Sequence, residues 1–171
     1  GIEVLLMSDP VDQWLSVHLT DFEGKTFQSV AKGELDLGDL EDEEEKQRQQ
    51  QVNDESKSLV DTIRTALESR VSEVRVTHRL TDSPACLVVG EYDMAVPLQR
   101  LLKNSGHGFP QGKPVLEINP EHPLVKRLEA EADDNRKNDL AQILFDQALL
   151  VEGGEIEDPA LFVRRMNALL S

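Results

Sequence analysis

The sequence DLAQILFDQALLVE occupies residues 139–152 and has apolar residues at nine of its fourteen positions. These residues cover more of a helix circumference than one packing partner requires, so the stretch predicts a helix with several neighbours. Gly153-Gly154 predicts the end of that helix. Asp158-Pro159 predicts the start of another, because aspartate caps a helix and proline fits its first turn. The two predicted helices make an αα-hairpin.

The predicted hairpin carries more apolar surface than it can hide within itself. Each fully buried Leu or Phe is worth about 1.5–3 kcal/mol, so leaving several of them exposed would be costly. A symmetric four-helix contact between two copies of the chain would cover them. Packing of the hairpin on its own sheet would also cover these residues. The spacing of the apolar residues favours the dimer and leaves this alternative open. The candidate dimer-interface residues are Leu140, Ile143, Leu144, Ala148, Leu149, Leu161, Phe162, Met166, Leu169 and Leu170.

Three strands are predicted before the hairpin. Residues 71–76 alternate between apolar and polar side chains, and residues 85–89 form a short apolar run. A turn sequence separates them, so we predict that these two strands pair as a β-hairpin. Residues 115–118 predict the third strand.

Three further helices are predicted around these strands. One begins near Leu59, where apolar residues recur at helical spacing. A second follows the apolar run at 85–89, runs through about Asn104 and is ended by Ser105-Gly106. The third is predicted to open at Asn119-Pro120, a cap followed by proline, and to run to about Ala132. The predicted fold is therefore α+β, with a small mixed sheet, helices and a C-terminal αα-hairpin.

The opening of the chain predicts a βαβ unit. Residues 3–7 and 26–30 have the apolar pattern of strands, and Pro10 lies in the first turn of a helix between them. Strands in this order are expected to be parallel, with a right-handed crossover. Because such a unit is too small to fold alone, and Gly1 leads directly into an apolar run, we expect the chain to be a piece of a longer protein.

Residues 34–57 differ in composition from both sides. They hold ten acidic and three basic residues, and so carry −7 of the net charge of −15. Such a segment predicts a solvated linker or an exposed helix. We therefore divide the chain into residues 1–38, an acidic linker at 39–57 and a terminal domain at 58–171. An acidic adaptor whose linker binds basic proteins remains an alternative function.

The charge and composition exclude several classes of partner. A net charge of −15 argues against nucleic acid and against an anionic membrane surface. The sequence has no apolar run of about 18 residues that could span a bilayer. The one cysteine, Cys86, lies in an apolar run and predicts a buried small side chain. An unpaired thiol without a signal segment predicts a cytoplasmic location.

Motifs for catalysis and metal binding are weak. Gly106 and Gly112 are six residues apart where a phosphate-binding loop requires five, and Pro114 replaces its Ser or Thr. His78 and Ser83 are residue types of a hydrolase without its nucleophile elbow, which leaves a small hydrolase as a second alternative. The four histidines lack the i, i+3 or i+4 spacing of paired ligands. We predict no catalytic, metal-ligating or cofactor-binding residue.

Four stretches carry a resemblance to a known family: VTHRLTDSPA at 76–85, LEINPEHPLVK at 116–126, FDQALL at 145–150 and DPALFVRRMN at 158–167. They are similar to the C-terminal domain of the bacterial heat-shock protein 90 chaperones. The opening stretches at 2–6 and 27–30 look like the end of the same family's middle domain, an α/β domain. The likeness covers nearly the whole chain except the acidic linker.

This resemblance implies a parent protein that is an ATP-dependent, homodimeric chaperone assisting protein folding under stress. ATP and magnesium would bind to an N-terminal domain outside this chain, which by itself would have no ATPase site. The last two helices of each copy would form the four-helix bundle of the dimer. No tetratricopeptide co-chaperone is expected, because the acidic tail of the eukaryotic relatives is missing here.

The resemblance also implies binding of non-native client proteins. Trp14 and Met94 match positions of the family's client surface, and apolar neighbours extend it at Leu98, Leu101 and Leu102. From spacing alone, such residues are more often part of a core. Pro97 departs from the family pattern. Because proline inside a helix removes a hydrogen bond, the client-binding helix is expected to start later in this chain.

Overall fold

The computed structural model describes residues 4–7, 9, 11, 12, 15, 18–27, 43–88 and 112–170. The chain divides into two units, residues 1–30 and residues 31–171. Each unit has its own secondary structure and is described by itself.

The first unit contains a short hairpin of strands β1 (Asp21–Phe22) and β2 (Lys25–Thr26), which pair antiparallel. Glu23 and Gly24 form its turn with positive φ angles of 51° and 78°, a conformation that glycine adopts without strain. Residues 4–7 have no regular secondary structure. The parallel βαβ pairing predicted for this unit is therefore not found among the residues described.

The helix predicted between those strands is confirmed at its described positions, which are residues 11, 12, 15 and 18. Its start is capped, because an Asp9 side-chain oxygen accepts a hydrogen bond from the Val11 amide at 3.1 Å.

The second unit contains five helices and a three-stranded sheet in its described part. The helices are α1 (Glu43–Glu55), α2 (Lys57–Ala66), α3 (Pro123–Ala130), α4 (Asp134–Val151) and α5 (Pro159–Leu170). The strands are β3 (Glu73–Val76), β4 (Ala85–Val88) and β5 (Val115–Ile118). The α+β class predicted from the sequence is confirmed. Residues 43–55 of the acidic segment form the polar helix α1, one of the two forms expected for it.

The strand order is β3–β5–β4, so the hairpin predicted between residues 71–76 and 85–89 is wrong. β5 lies between the other two strands, parallel to β3 and antiparallel to β4. The sheet is mixed, as predicted, but its central strand is the last one in the sequence. The error arose because pairing of sequence neighbours is only the commonest arrangement.

A buried carboxylate links the central strand β5 to one of its neighbours. Glu117 of β5 is almost completely buried and is bound by two arginines. Arg75 Nη2 lies 2.7 Å from Glu117 Oε1, and Arg79 Nη2 lies 2.6 Å from Glu117 Oε2. A buried charge is tolerated when it is paired and hydrogen-bonded. These contacts connect β5 to β3 and to the segment that follows β3.

Helix α3 begins later than predicted, at Pro123 rather than Pro120. The Asn119 side-chain amide instead donates to the Leu80 carbonyl oxygen at 3.1 Å, which holds the segment between β3 and β4. His122 caps the helix, because its Nδ1 accepts a hydrogen bond from the Leu124 amide at 3.1 Å. His122-Pro123 is thus a second pair of cap and proline, and the helix uses this one.

The core of the second unit lies between the sheet and the helices. Helix α4 packs against β4, α2, α3 and α5, and α2 packs against β3. The buried side chains form one continuous cluster to which α2, all three strands, α3, α4 and α5 contribute. Helix α4 is therefore the central helix of this unit.

Candidate interaction surface

The hairpin is defined by its helix caps. Helix α4 begins at Asp134, five residues before the predicted stretch at 139–152, where the Asp133 side chain accepts hydrogen bonds from the Asn135 and Arg136 amides, each at 2.9 Å. After α4, Gly153 adopts a φ of 76°, as expected for a glycine that ends a helix. Helix α5 starts at Asp158, whose Oδ1 accepts from the Leu161 amide at 2.8 Å. The predicted helix-break-helix pattern is confirmed.

The turn between the helices is tightly packed at Gly154. A Cβ atom added there would lie 2.4 Å from Leu149 Cδ1, far inside van der Waals contact. The Gly154 amide also donates to the Leu149 carbonyl oxygen at 2.8 Å. A side chain at this position would therefore displace Leu149 and alter the way in which the chain leaves α4.

Helix α4 belongs to the core of the single chain. Seven of its residues are buried, and they are Leu140, Ala141, Ile143, Leu144, Phe145, Asp146 and Ala148. The buried Asp146 carboxylate is paired with Arg70, with 2.6 Å between Oδ1 and Nη2. The Arg70 guanidinium also lies 4.1 Å from the centre of the Phe145 ring, a cation–π distance. An ion pair and a cation–π contact thus join α4 to the segment that follows α2.

Helix α5 is covered much less completely. Leu169 is its one fully buried residue, and Phe162 and Met166 pack partly against the core. Two hydrogen bonds add to this contact. Arg165 Nε lies 3.0 Å from Asp139 Oδ1 on α4, and Arg127 Nη2 of α3 donates to the Leu169 carbonyl oxygen at 3.1 Å.

The outer part of the hairpin exposes large apolar side chains. The exposed fractions are 47% for Leu150, 77% for Val151, 52% for Val163 and 76% for Leu170. An open groove lies where α4 turns into α5, lined by Leu150, Gly153, Gly154, Glu155, Ile156 and Pro159. Single exposed apolar residues are normal, but several on one two-helix element indicate a contact surface.

The structure separates the ten predicted interface residues into three groups. Five are buried within the single chain and offer almost no surface to a partner: Leu140, Ile143, Leu144, Ala148 and Leu169. Four are half-buried: Leu149, Leu161, Phe162 and Met166. Leu170 is exposed. The dimer contact itself stays a prediction, and the residues that remain available for it are the half-buried and exposed ones.

Leu150, Val151 and Val163 are exposed apolar residues that the predicted interface did not include. Leu150 and Val151 occupy the last turn of α4. Val163 lies one residue away from the stripe of Phe162, Met166 and Leu169 that faces the core. A search for apolar residues outside the predicted core stripe would have found Val163, because such positions on a surface helix are normally polar.

The five predicted client-binding residues, Trp14, Met94, Leu98, Leu101 and Leu102, lie outside the described residues, as does Pro97. Of the two hydrolase candidates, His78 is exposed and Ser83 is half-buried. In the described part of the chain, no group of three His, Cys, Asp or Glu side chains is placed to hold a metal ion. No helix within the described ranges is long and apolar enough to cross a membrane.

Cys86 is half-buried rather than fully buried. Its Sγ lies 3.8 Å from Glu117 Oε2 and 3.7 Å from Arg79 Nη2. Burial raises the pKa of the Cys86 thiol, and the negative charge of Glu117 raises it further. A thiol in this state is a weak nucleophile at neutral pH, in agreement with a structural role.

Comparison with known proteins identifies the family. The sequence model of the Hsp90 protein family matches residues 1–171. The chain belongs to the Hsp90 family. It is 58% identical, over all of its 171 residues, to the chaperone protein HtpG of Alkalilimnicola ehrlichii, of which it covers 26%. It is also 56% identical to HtpG of Nitrosococcus oceani and to HtpG of Chromobacterium violaceum. Each of these matches extends over 170 residues, which are 99% of the chain and 27% of the relative.

The resemblance seen in the sequence motifs is thus confirmed, and the similar Hsp90 proteins are bacterial HtpG chaperones. The chain spans about a quarter of the length of these relatives.

Proposed function

We propose that this chain is the dimerisation and client-binding part of an ATP-dependent Hsp90 chaperone that assists protein folding under stress. The observation that carries the dimer part is the exposed apolar surface of the α4–α5 hairpin. Membership of the Hsp90 family supports the chaperone part. In this proposal the chain supplies contacts rather than chemistry, and it acts in the cytoplasm.

A second copy of the chain is the simplest partner for the hairpin. The exposed residues Leu150, Val151, Val163 and Leu170 lie on one two-helix element. A two-fold symmetric contact places the same patch of each copy against its equivalent, so one patch is sufficient. Two hairpins brought together in this way form a four-helix bundle. Helix α4 would contribute mainly its end, because most of its surface is already covered by its own chain.

The chemistry of the parent protein belongs, in this proposal, to parts outside the chain. ATP and magnesium would bind to an N-terminal domain, as the family resemblance implies. Client proteins would contact the segment that contains Met94, Leu98, Leu101 and Leu102, together with Trp14. Replacing Leu98 and Leu101 by serine should weaken the suppression of client aggregation at an unchanged melting temperature. Unchanged suppression would remove these residues from the proposed client surface.

The dimer is tested by a double substitution on the exposed side of α5. Val163→Ser with Leu170→Ser removes apolar contact area from the proposed interface and leaves the core of the single chain unchanged. Sedimentation equilibrium across a dilution series should show dimers for the unmodified chain, and an association weaker by about tenfold or more for the variant. Melting temperature serves as the check on folding.

Glu129→Ser is a matched control, because Glu129 is exposed on α3. It should leave the association constant unchanged. If the serine double variant and the control associate equally well, the exposed side of α5 is not the contact. If the unmodified chain stays monomeric throughout the dilution series, the dimer proposal is wrong for this chain.

A further inference from the structure

Helix α5 has little apolar burial to fix its position. Leu169 is its one fully buried residue, with Phe162 and Met166 partly buried beside it. Apolar contact is non-directional, so a stripe of three side chains constrains the rotation of the helix less strictly than hydrogen bonds do. Hydrogen bonds depend steeply on distance and angle. The polar contacts of α5 are therefore the ones that can set its orientation.

The first polar contact joins the middle of α5 to α4. Arg165 Nε lies 3.0 Å from Asp139 Oδ1, and the two side chains retain 19% and 33% of their exposure. A partly buried pair of this kind is screened less by solvent and salt than a surface pair. It links two helices that are otherwise joined through a short turn.

The second polar contact holds the last turn of α5. Arg127 of α3 donates from Nη2 to the Leu169 carbonyl oxygen at 3.1 Å. The last carbonyl groups of a helix have no partner within the helix, and a cation is favoured at that end. Arg127 therefore satisfies a free carbonyl group and places its positive charge at the negative end of the helix dipole.

These two contacts lie on a different side of α5 from its most exposed apolar residues. Arg165 and Leu169 are four residues apart and so lie on one side of the helix. Val163 and Leu170 are seven residues apart and share another side. Both are more than half exposed. Rotation of α5 about its axis would turn this second pair away from its present direction.

We propose that Arg127 and Arg165 are positioning residues of the dimer surface. They fix the rotation of α5, so that Val163 and Leu170 face the second copy of the chain. This inference rests on the dimer proposed above and adds to it the residues that set the geometry of its surface. Neither arginine needs to touch the partner in order to act in this way.

The test uses Arg127→Ala and Arg165→Ala in the complete chain. Each variant should weaken the dimer by about fivefold in sedimentation equilibrium, because each loses one partly buried polar contact. Amide hydrogen exchange of residues 159–170 should become faster in each variant, since α5 is held less firmly. Exchange in α4 should change little. Arg165→Lys should restore part of the affinity, because lysine keeps the charge opposite Asp139.

Arg164→Ala is the matched control. Arg164 is an exposed neighbour of Arg165 on the same helix, and its loss changes the net charge by the same amount. The inference is wrong if Arg127→Ala and Arg165→Ala affect dimerisation no more than Arg164→Ala does. It is also wrong if dimerisation weakens while exchange of α5 remains unchanged, because the arginines would then act by direct contact with the partner.

Failure of the dimer proposal gives a different result. If the unmodified chain is monomeric at every concentration, the dimer proposal is wrong, and with it the role of the two arginines in orienting a dimer surface. Faster exchange of α5 in both alanine variants would then show that the arginines hold the helix for another purpose.

Discussion

The two helices of the terminal hairpin are both rich in apolar residues, yet their own chain covers them to different degrees. Helix α4 buries seven residues against β4, α2, α3 and α5. Helix α5 packs mainly against α4 and fully buries Leu169 alone. The apolar pattern of a helix thus indicates how much apolar surface it carries. The number of neighbouring elements decides how much of that surface its own chain buries. An apolar helix with one main neighbour has surface left for a partner.

The largest expected effect tests the core assignment of α4. Leu144→Ala removes a completely buried side chain and should lower the free energy of unfolding by about 2.7–5 kcal/mol, because a cavity remains. Val163→Ala on the exposed side of α5 should change it by no more than about 0.5 kcal/mol. Urea unfolding at protein concentrations below the dissociation constant of the dimer measures both. Equal losses would mean that α5 is as much a part of the core as α4.

A smaller effect is expected when the polar contacts of the two helices are compared. Asp146→Ala leaves the partly buried Arg70 without its carboxylate partner and should cost about 2–3 kcal/mol in unfolding free energy. Asp139→Ala breaks the more exposed pair with Arg165 and should cost about 1 kcal/mol or less. The same urea experiment ranks the two. If Asp139→Ala lowers the unfolding free energy more than Asp146→Ala does, then α5 is held by its polar contact more firmly than α4 is, contrary to the inference.

The smallest effect is expected where α4 ends. Burial raises the pKa of the Glu152 carboxyl, and the nearby charge of Arg79 opposes part of that rise. Because the folded-state pKa exceeds the unfolded one, Glu152 favours folding at low pH. That contribution is lost as the pH rises from the ordinary carboxyl range through the raised pKa.

Glu152→Gln resembles the protonated acid and should therefore give a higher melting temperature than the unmodified chain at neutral pH. The difference should become smaller as the pH is lowered towards the ordinary pKa of glutamic acid. Melting curves of both proteins between pH 4.5 and 7 provide the comparison. A difference that is constant across this range would mean that the carboxyl group is not the cause.

The parts of the fold that depend on local chemistry could be predicted from the sequence. Asp158-Pro159 and Gly153-Gly154 define helix ends through contacts within a few residues. The order of the strands could not be predicted in this way, because β5 pairs with two strands that are distant in sequence. The start of α3 was missed since Asn119-Pro120 and His122-Pro123 offer the same local signal. The structure distinguishes them through the bond from Asn119 to Leu80 and the bond from the Leu124 amide to His122.

The sequence predicts which helices form the candidate site, but not which of their side chains face outward. The hairpin and its excess of apolar residues follow from the spacing of residues 139–170. Which side chains face outward depends on how many other elements surround each helix, and one sequence carries little information about that. This is why Leu140 and Ile143 were assigned to the interface although they are buried, and why Val163 was not.

The strand order β3–β5–β4 also has a consequence for the chain during its synthesis on the ribosome. Among the described strands, β3 and β4 each pair with β5 alone, and 26 residues separate Val88 from Val115. Both β3 and β4 are therefore synthesised before β5, the strand with which they pair. Strand edges that lack partners are where nascent chains aggregate. We therefore expect the edges of β3 and β4 to lack their partner until residue 118 has emerged from the exit tunnel.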